Sequence, residues 1–272
     1  MSTLPAATLR VSLLQAATAW HDPAANRALY GGLVRSLAGS TDLAVLPETL
    51  TSGFSNDAVE QAEDMQGESV AWLRALAIET GMVVTGSMVI RDGGAVYNRL
   101  LWMRPDGSCA HYDKRHLFRM ADEHRRYGAG RERLLVELNG WRVCPLVCYD
   151  LRFPVFSRNR WDAAADRFEY DLLLYVANWP APRRHAWRTL LAARAIENLA
   201  YVAGVNRVGS DGNGIDYAGD SVVHDMLGRP LLEFGPQAQV ATVVLEHAAL
   251  AAHRARFPAQ LDADRFELLA PL

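Results

Sequence analysis

The run Leu172–Ala177, LLLYVA, carries apolar or aromatic side chains at every position, with no alternation between a dry and a wet face. A strand of this kind must be covered on both sides, as in the inner strands of a parallel sheet packed between other layers. Leu43–Leu46 and Arg142–Cys148 read the same way, and further strands are expected at Leu9–Gln15, Met82–Ile90, Ala95–Met103, Ser108–Asp113, Tyr201–Asn206, Ser221–His224 and Ala241–Val244. Asp106-Gly107 between two of these is a hairpin turn signal. Helices are expected at Asn26–Leu37, Gly67–Thr80, Ala186–Leu199 and Glu246–Arg256; within the third, Arg188–Asn198 (RTLLAARAIEN) sets apolar residues at helical spacing. This mixture points to an α/β class, with helices covering a sheet or a pair of sheets.

The bulk properties exclude several functions. The 272 residues are half hydrophobic and 22% charged, enough for a sizeable core in a single domain. A net charge of −3 gives no support for nucleic-acid or anionic-membrane partners. No segment approaches about 20 uncharged apolar residues, so no membrane span is expected. Arg10 interrupts the N-terminal stretch MSTLPAATLRVSLLQAATAW, which reads as a first strand and not as a signal peptide. Three cysteines, Cys109, Cys144 and Cys148, cannot pair completely, and a soluble, cytoplasmic, reducing-compartment protein is expected. The spacing of His111, His116 and His124 matches no metal-ligand pattern, so neither metal nor cofactor is expected. There is no GxSxG elbow and no glycine-rich phosphate loop.

In α/β folds the residues just beyond the carboxyl ends of strands line the ligand crevice. Four such places carry polar chemistry here. Leu43–Leu46 runs into Pro47-Glu48, the strand ending at Asp113 into Lys114, Leu146-Val147 into Cys148, and Leu172–Ala177 into Asn178-Trp179. A carboxylate, an ammonium and a thiol converging on one crevice would supply a base, an oxyanion-stabilising cation and a nucleophile, the set that acyl transfer needs.

The ordered set LPE at 46–48, YDKRHLF at 112–118, ADEH at 121–124 and CYDLRFP at 148–154 resembles the nitrilase, or carbon–nitrogen hydrolase, superfamily across nearly the whole chain. DKRHLFRMADEHRRYGAG, VCYDLRFPVFSRN, YVANWPAPR and ARAIENLAYVAGVNRVGSDGNG are most similar to its bacterial ω-amidases, which deamidate 2-oxo acid ω-amides such as 2-oxoglutaramate and 2-oxosuccinamate. The resemblance implies a four-layer α-β-β-α sandwich over residues 1–272. It also implies a homodimer, with the tail from about residue 246 to 272 in a dimer contact or packed within the chain. It assigns Glu48, Lys114, Cys148 and Glu123 to catalysis. Arg152 would hold a substrate carboxylate, Tyr149 would lend a backbone N–H, and Phe118, Asn178 and Trp179 would form pocket walls.

Each assignment competes with a plainer one. Cys148 could be a core thiol, as Cys109 and Cys144 are read to be. Glu48 could cap a helix or lie on the surface, Lys114 could belong to a solvated basic loop, and Glu123 sits in a charged stretch. Arg152 could pair with Asp150, which is read as turning the chain, and Asp122 as a surface acid. Rival functions are hydrolysis of a nitrile, an N-carbamoyl compound or an aliphatic amide, and a non-catalytic interaction protein on the same scaffold. A redox sensor using Cys144 and Cys148 is disfavoured, since four residues along a strand separate the sulfurs too far for an easy disulfide.

Overall fold

In β1 (Thr8–Gln15), alternate side chains serve two different cores. Leu9, Val11 and Leu13 face a second sheet, while Leu14 packs under helices. The structure, a computed structural model, describes residues 5–268. The chain continues through α1 (Pro23–Arg35), β2 (Leu43–Val45), α2 (Glu68–Thr80), β3 (Val83–Asp92), β4 (Ala95–Met103) and β5 (Cys109–Asp113). A second series follows: β6 (Val136–Leu138), β7 (Trp141–Val147), α3 (Pro154–Ser157), β8 (Trp161–Asp162), β9 (Arg167–Phe168), β10 (Leu172–Ala177), α4 (Arg184–Asn198) and β11 (Tyr201–Asn206). Next come β12 (Val208–Ser210), β13 (Asp216–Ala218), β14 (Val222–His224), β15 (Pro230–Glu233), β16 (Gln239–Glu246) and α5 (His247–Arg256).

Two six-stranded sheets result, in the orders β16-β1-β2-β3-β4-β5 and β15-β14-β11-β10-β7-β6. Their inner strands, β1-β2-β3 and β7-β10-β11, are parallel, and the flanking pairs are antiparallel. Val11, Val45 and Trp102 of the first sheet share one core with Val143, Leu146 and Leu174 of the second. Tyr30, Val34, Leu73 and Ala77 cover the outer face of the first sheet, and Trp187, Leu191 and Ala195 that of the second. The layers are therefore α-β-β-α, and LLLYVA is buried on both faces because a helix lies on one side and a sheet on the other.

The expected main elements are present, with ends shifted by a few residues. Gly107, with φ +82°, makes the hairpin turn between β4 and β5. The elements absent from the sequence reading are β6, β8, β9, β12, β13, β15 and α3. All have two to four residues, a length at which pairing with a neighbour decides and local propensity does not. The expected strand Arg142–Cys148 ends one residue early, at Val147, for a reason that matters at the site.

Part of the C-terminal tail has an intrachain role. Arg254 of α5 donates to Asp171 Oδ1 at 2.7 Å and to Tyr170 O at 2.8 Å, and Leu250 is fully buried. Residues 269–272 of that tail, like residues 1–4 ahead of the first strand, lie outside the described residues. Asp171, 1% exposed, also accepts from Arg142 Nη2 at 3.0 Å. Burial alone would raise its pKa, but Arg254 and Arg142 outweigh burial and hold it below the usual carboxylate range. Asp171→Asn leaves two cations facing a neutral amide and is expected to cost about 3–5 kcal/mol in urea unfolding at pH 7. The folded pKa is depressed, so this stabilisation is present above the unfolded value of about 3.9 and fades as pH falls below it. A parent–variant difference that failed to shrink between pH 7 and pH 3 would contradict this account.

Candidate active site

The two sheets bring their strand ends together, and each contributes half of the chemistry. From the first sheet comes Glu48. Strand β2 stops before Pro47, which has no N–H to donate to a ladder. Thr49 then takes φ +41°, its N–H bonded to Ser87 Oγ at 2.8 Å, and this turns the Glu48 carboxylate inward. Lys114 follows β5 directly and is fixed in register by its N–H to Asn98 O at 3.0 Å. Glu123 arrives on a short 3-10 turn, Glu123–Arg125, in the loop beyond Lys114. That loop closes down tightly: a Cβ on Gly130 would sit 1.9 Å from Asp113 O, so only glycine allows the approach.

These three side chains form one buried cluster. Lys114 Nζ lies 3.0 Å from Glu48 Oε1 and 3.0 Å from both Glu123 oxygens, which engages all three ammonium donors. Asn98 Nδ2 donates to Glu48 Oε1 at 2.7 Å, Asn178 N to Glu48 Oε2 at 2.7 Å, and Phe118 N to Glu123 Oε2 at 2.6 Å. Neither carboxylate has any solvent exposure. The plainer readings of Glu48 and Glu123 as surface acids, and of Lys114 as a solvated lysine, are therefore wrong. Burial by itself would lower the Lys114 pKa, but Glu123 and Glu48 more than reverse this and raise it well above the ordinary lysine range. Burial raises the Glu123 pKa; Lys114 opposes that rise and Glu48 adds to it.

The second sheet supplies the thiol. Cys148 has φ +44°, a left-handed conformation that costs a non-glycine residue about 1–2 kcal/mol. The ladder cannot continue through such a residue, which is why β7 ends at Val147. Asp150 makes the elbow rigid: its fully buried carboxylate accepts from Val147 N at 3.0 Å, Tyr112 OH at 2.7 Å and His116 N at 3.0 Å. It therefore turns the chain, as expected, and ties the cysteine elbow to the lysine loop. Cys148 Sγ lies 4.0 Å from Asn178 O, at the end of the neighbouring parallel strand β10. Burial pushes the Cys148 thiol well above its usual range, the Glu48 carboxylate adds to the rise, and Lys114 opposes it. Cys144 is buried within β7 and pushed up to about 12 by burial, an inert core thiol.

A pocket of about 170 Å³ opens onto this thiol. Phe118, Asn178 and Trp179, which the resemblance gave as pocket walls, line it, and so does Tyr149, with Phe118 and Tyr149 in edge contact at 5.0 Å. Arg152 also lines it. It makes no ion pair with Asp150 or any other acid among the described residues, and its guanidinium lies over the Trp179 ring at 5.1 Å. Asp122 is exposed, as expected, and pairs with Arg125. The sequence reading missed Asn98 and Arg183. Asn98 had a signal, a polar residue breaking the apolar strand Ala95–Met103. Arg183 had none, because only the turn Ala181–Arg183 aims it at the pocket.

A buried acid–lysine–acid cluster beside a strained cysteine elbow, at the joined strand ends of an α-β-β-α sandwich, defines a thiol-dependent hydrolase site. The carbon–nitrogen hydrolase family pattern matches residues 10–254, and the chain belongs to that family. It is 49% identical to the omega-amidase YafV of Yersinia enterocolitica, over 96% of this chain and 99% of that protein. It is 33% identical to a 2-oxoglutaramate amidase of Bacillus subtilis, over 87% and 90% of the two chains. The crystal structure of XC1258 from Xanthomonas campestris, a CN-hydrolase superfamily protein with an arsenic adduct in its active site, superposes with a TM-score of 0.95. That chain is 60% identical, with 96% of this chain and 99% of that one covered. The protein is a carbon–nitrogen hydrolase of the amidase kind.

Proposed function

We propose that the protein hydrolyses the ω-amide of small 2-oxo dicarboxylic acid monoamides, such as 2-oxoglutaramate and 2-oxosuccinamate, to the dicarboxylate and ammonia. The observation that carries this reading is the Glu48–Lys114–Glu123 cluster beside Cys148, in a pocket whose wall presents the guanidinium of Arg152, which pairs with no acid among the described residues. The names of its relatives support the choice of amide.

The resting sulfur is a thiol, since burial and the Glu48 charge both oppose the anion. Glu48 takes the proton as the sulfur attacks the carboxamide carbon. Its own charge disappears in that step, and with it the repulsion that held the thiol neutral. The tetrahedral oxyanion is held by the Lys114 ammonium and the backbone N–H of Tyr149. Because all three Lys114 donors are engaged at rest, a bond to the oxyanion requires it to release one carboxylate contact, and Glu48 weakens as an acceptor once protonated. Glu48 then protonates departing ammonia and activates the water that hydrolyses the thioester, while Glu123 fixes Lys114 in place. Arg152 holds the substrate carboxylate through its planar fork. The reading includes a single hydrolase domain over the chain and a cytoplasmic homodimer. Exposed Phe257 and Leu261 near the C-terminus support the dimer contact.

The test is intact-mass detection of an acyl adduct on Cys148 after mixing with 2-oxoglutaramate. It is run beside a comparison of ammonia release from 2-oxoglutaramate, a nitrile panel, N-carbamoyl amino acids and aliphatic amides. Turnover with no adduct under rapid quench removes the thioester mechanism. Faster release from any of the other classes removes the substrate assignment.

A further inference from the structure

The pocket holds two cations that its own acids do not neutralise. Lys114 is matched by Glu48 and Glu123, yet Arg152 and Arg183 line the same pocket and form no ion pair among the described residues. Each guanidinium is laid against an aromatic wall, Arg152 at 5.1 Å over Trp179 and Arg183 at 5.3 Å over Phe118. Trp179 links the two, because its Nε1–H donates to Arg183 O at 2.9 Å while its face carries Arg152. Stacking restricts both side chains before a ligand binds and leaves N–H edges available, which lowers the ordering cost of binding. Arg183 Nη2 points at the Met120 thioether at 2.9 Å, a weak acceptor for a charged donor. A carboxylate is a far better match for that fork.

One arginine suffices for a carboxylate. Two on different walls suit a larger set of acceptors, and a 2-oxo acid presents three oxygens on adjacent carbons, two from the carboxylate and one from the ketone. We propose that Arg183 is a specificity-determining residue that acts with Arg152 as a two-arginine clamp on the 2-oxo carboxylate end of the substrate. The proposal rests on the 2-oxo amide reading and deepens it.

The test uses probes that need no turnover. Bromopyruvate and bromoacetone both alkylate a thiol: the C–S bond forms, bromide leaves, and the thiol proton passes to Glu48. They share the ketone and differ in the carboxylate. The ratio of their rates at Cys148, followed by peptide mapping, reads recognition of the anionic end and cancels general damage to the thiol. In Arg183→Gln the ratio is expected to fall roughly 10–100-fold, the range for losing a hydrogen bond to a charged group. Arg183→Lys, which keeps the charge without the fork, is expected to recover part of it. A ratio within twofold of the parent in both variants overturns the clamp. Ammonia release separates the two levels. If the parent ignores 2-oxoglutaramate while the ratio still depends on Arg183, the substrate reading fails and the anion clamp stands. If the parent turns it over and Arg183→Gln leaves both KM and the ratio unchanged, the clamp alone fails.

Discussion

Cys148→Ala is expected to release no measurable ammonia from any amide, yet to unfold in urea within about 1 kcal/mol of the parent. Activity disappears because no other thiol reaches the pocket: Cys144 points into the core, and Cys109 lies on β5 away from it. Stability survives because alanine keeps the Cβ, and therefore the left-handed strain at φ +44°, while losing one sulfur from a pocket wall. The same strain supplies an internal control. Cys148→Gly adopts positive φ without the clash and is expected to be roughly 1 kcal/mol more stable than Cys148→Ala, although glycine costs more unfolded-state entropy. Equal stability of the two variants would show that the elbow stores no strain, and ammonia release by Cys148→Ala would assign the nucleophile elsewhere.

Lys114→Met is expected to lose both rate and stability. The ammonium is the only cation within ion-pair distance of Glu48 and Glu123 among the described residues, and both carboxylates are wholly buried. Removing it leaves two like charges in a dry site, a change that typically costs about 3–5 kcal/mol. Loss of one oxyanion donor lowers kcat by about 10²–10³. The pH dependence has a definite sign. Glu123 already titrates above the ordinary range, and without Lys114 it rises further. A folded pKa above the unfolded value of about 4.3 means that stability is fullest below that value and declines as pH rises through the folded pKa. The variant should therefore gain stability relative to the parent between pH 8 and pH 5 in denaturant melts. A constant deficit across that range would mean that the two acids are not electrostatically coupled through Lys114.

Much of this site was legible because catalysis uses polar residues where a strand should end. Glu48, Cys148 and Asn178 each follow an apolar run and Lys114 follows the more polar strand ending at Asp113, and no buried strand needs them there. Glu123 was legible only through resemblance, since ADEHRR looks like a solvated charged stretch. It became buried because glycines at 128 and 130 let its loop pack directly on Tyr97 and Asp113. Asn98 and Arg183 were not read at all. One lies inside a strand between Tyr97 and Arg99, and the other is the first of two adjacent arginines after Pro182.

By itself the sequence determined the order of the main strands and helices, the burial of LLLYVA on both faces, and the identity of the groups able to do chemistry. These follow from side-chain period and polarity, which are local properties. The tertiary structure alone decided what those groups became. It set an ammonium 3.0 Å from two carboxylates, gave Cys148 a positive φ held by Asp150, and left Arg152 and Arg183 without acid partners among the described residues. The elbow is held from within three residues by Asp150, but charge state depends on residues 9 to 130 positions apart in the chain, and the closing of the two sheets brings the most distant of them within reach.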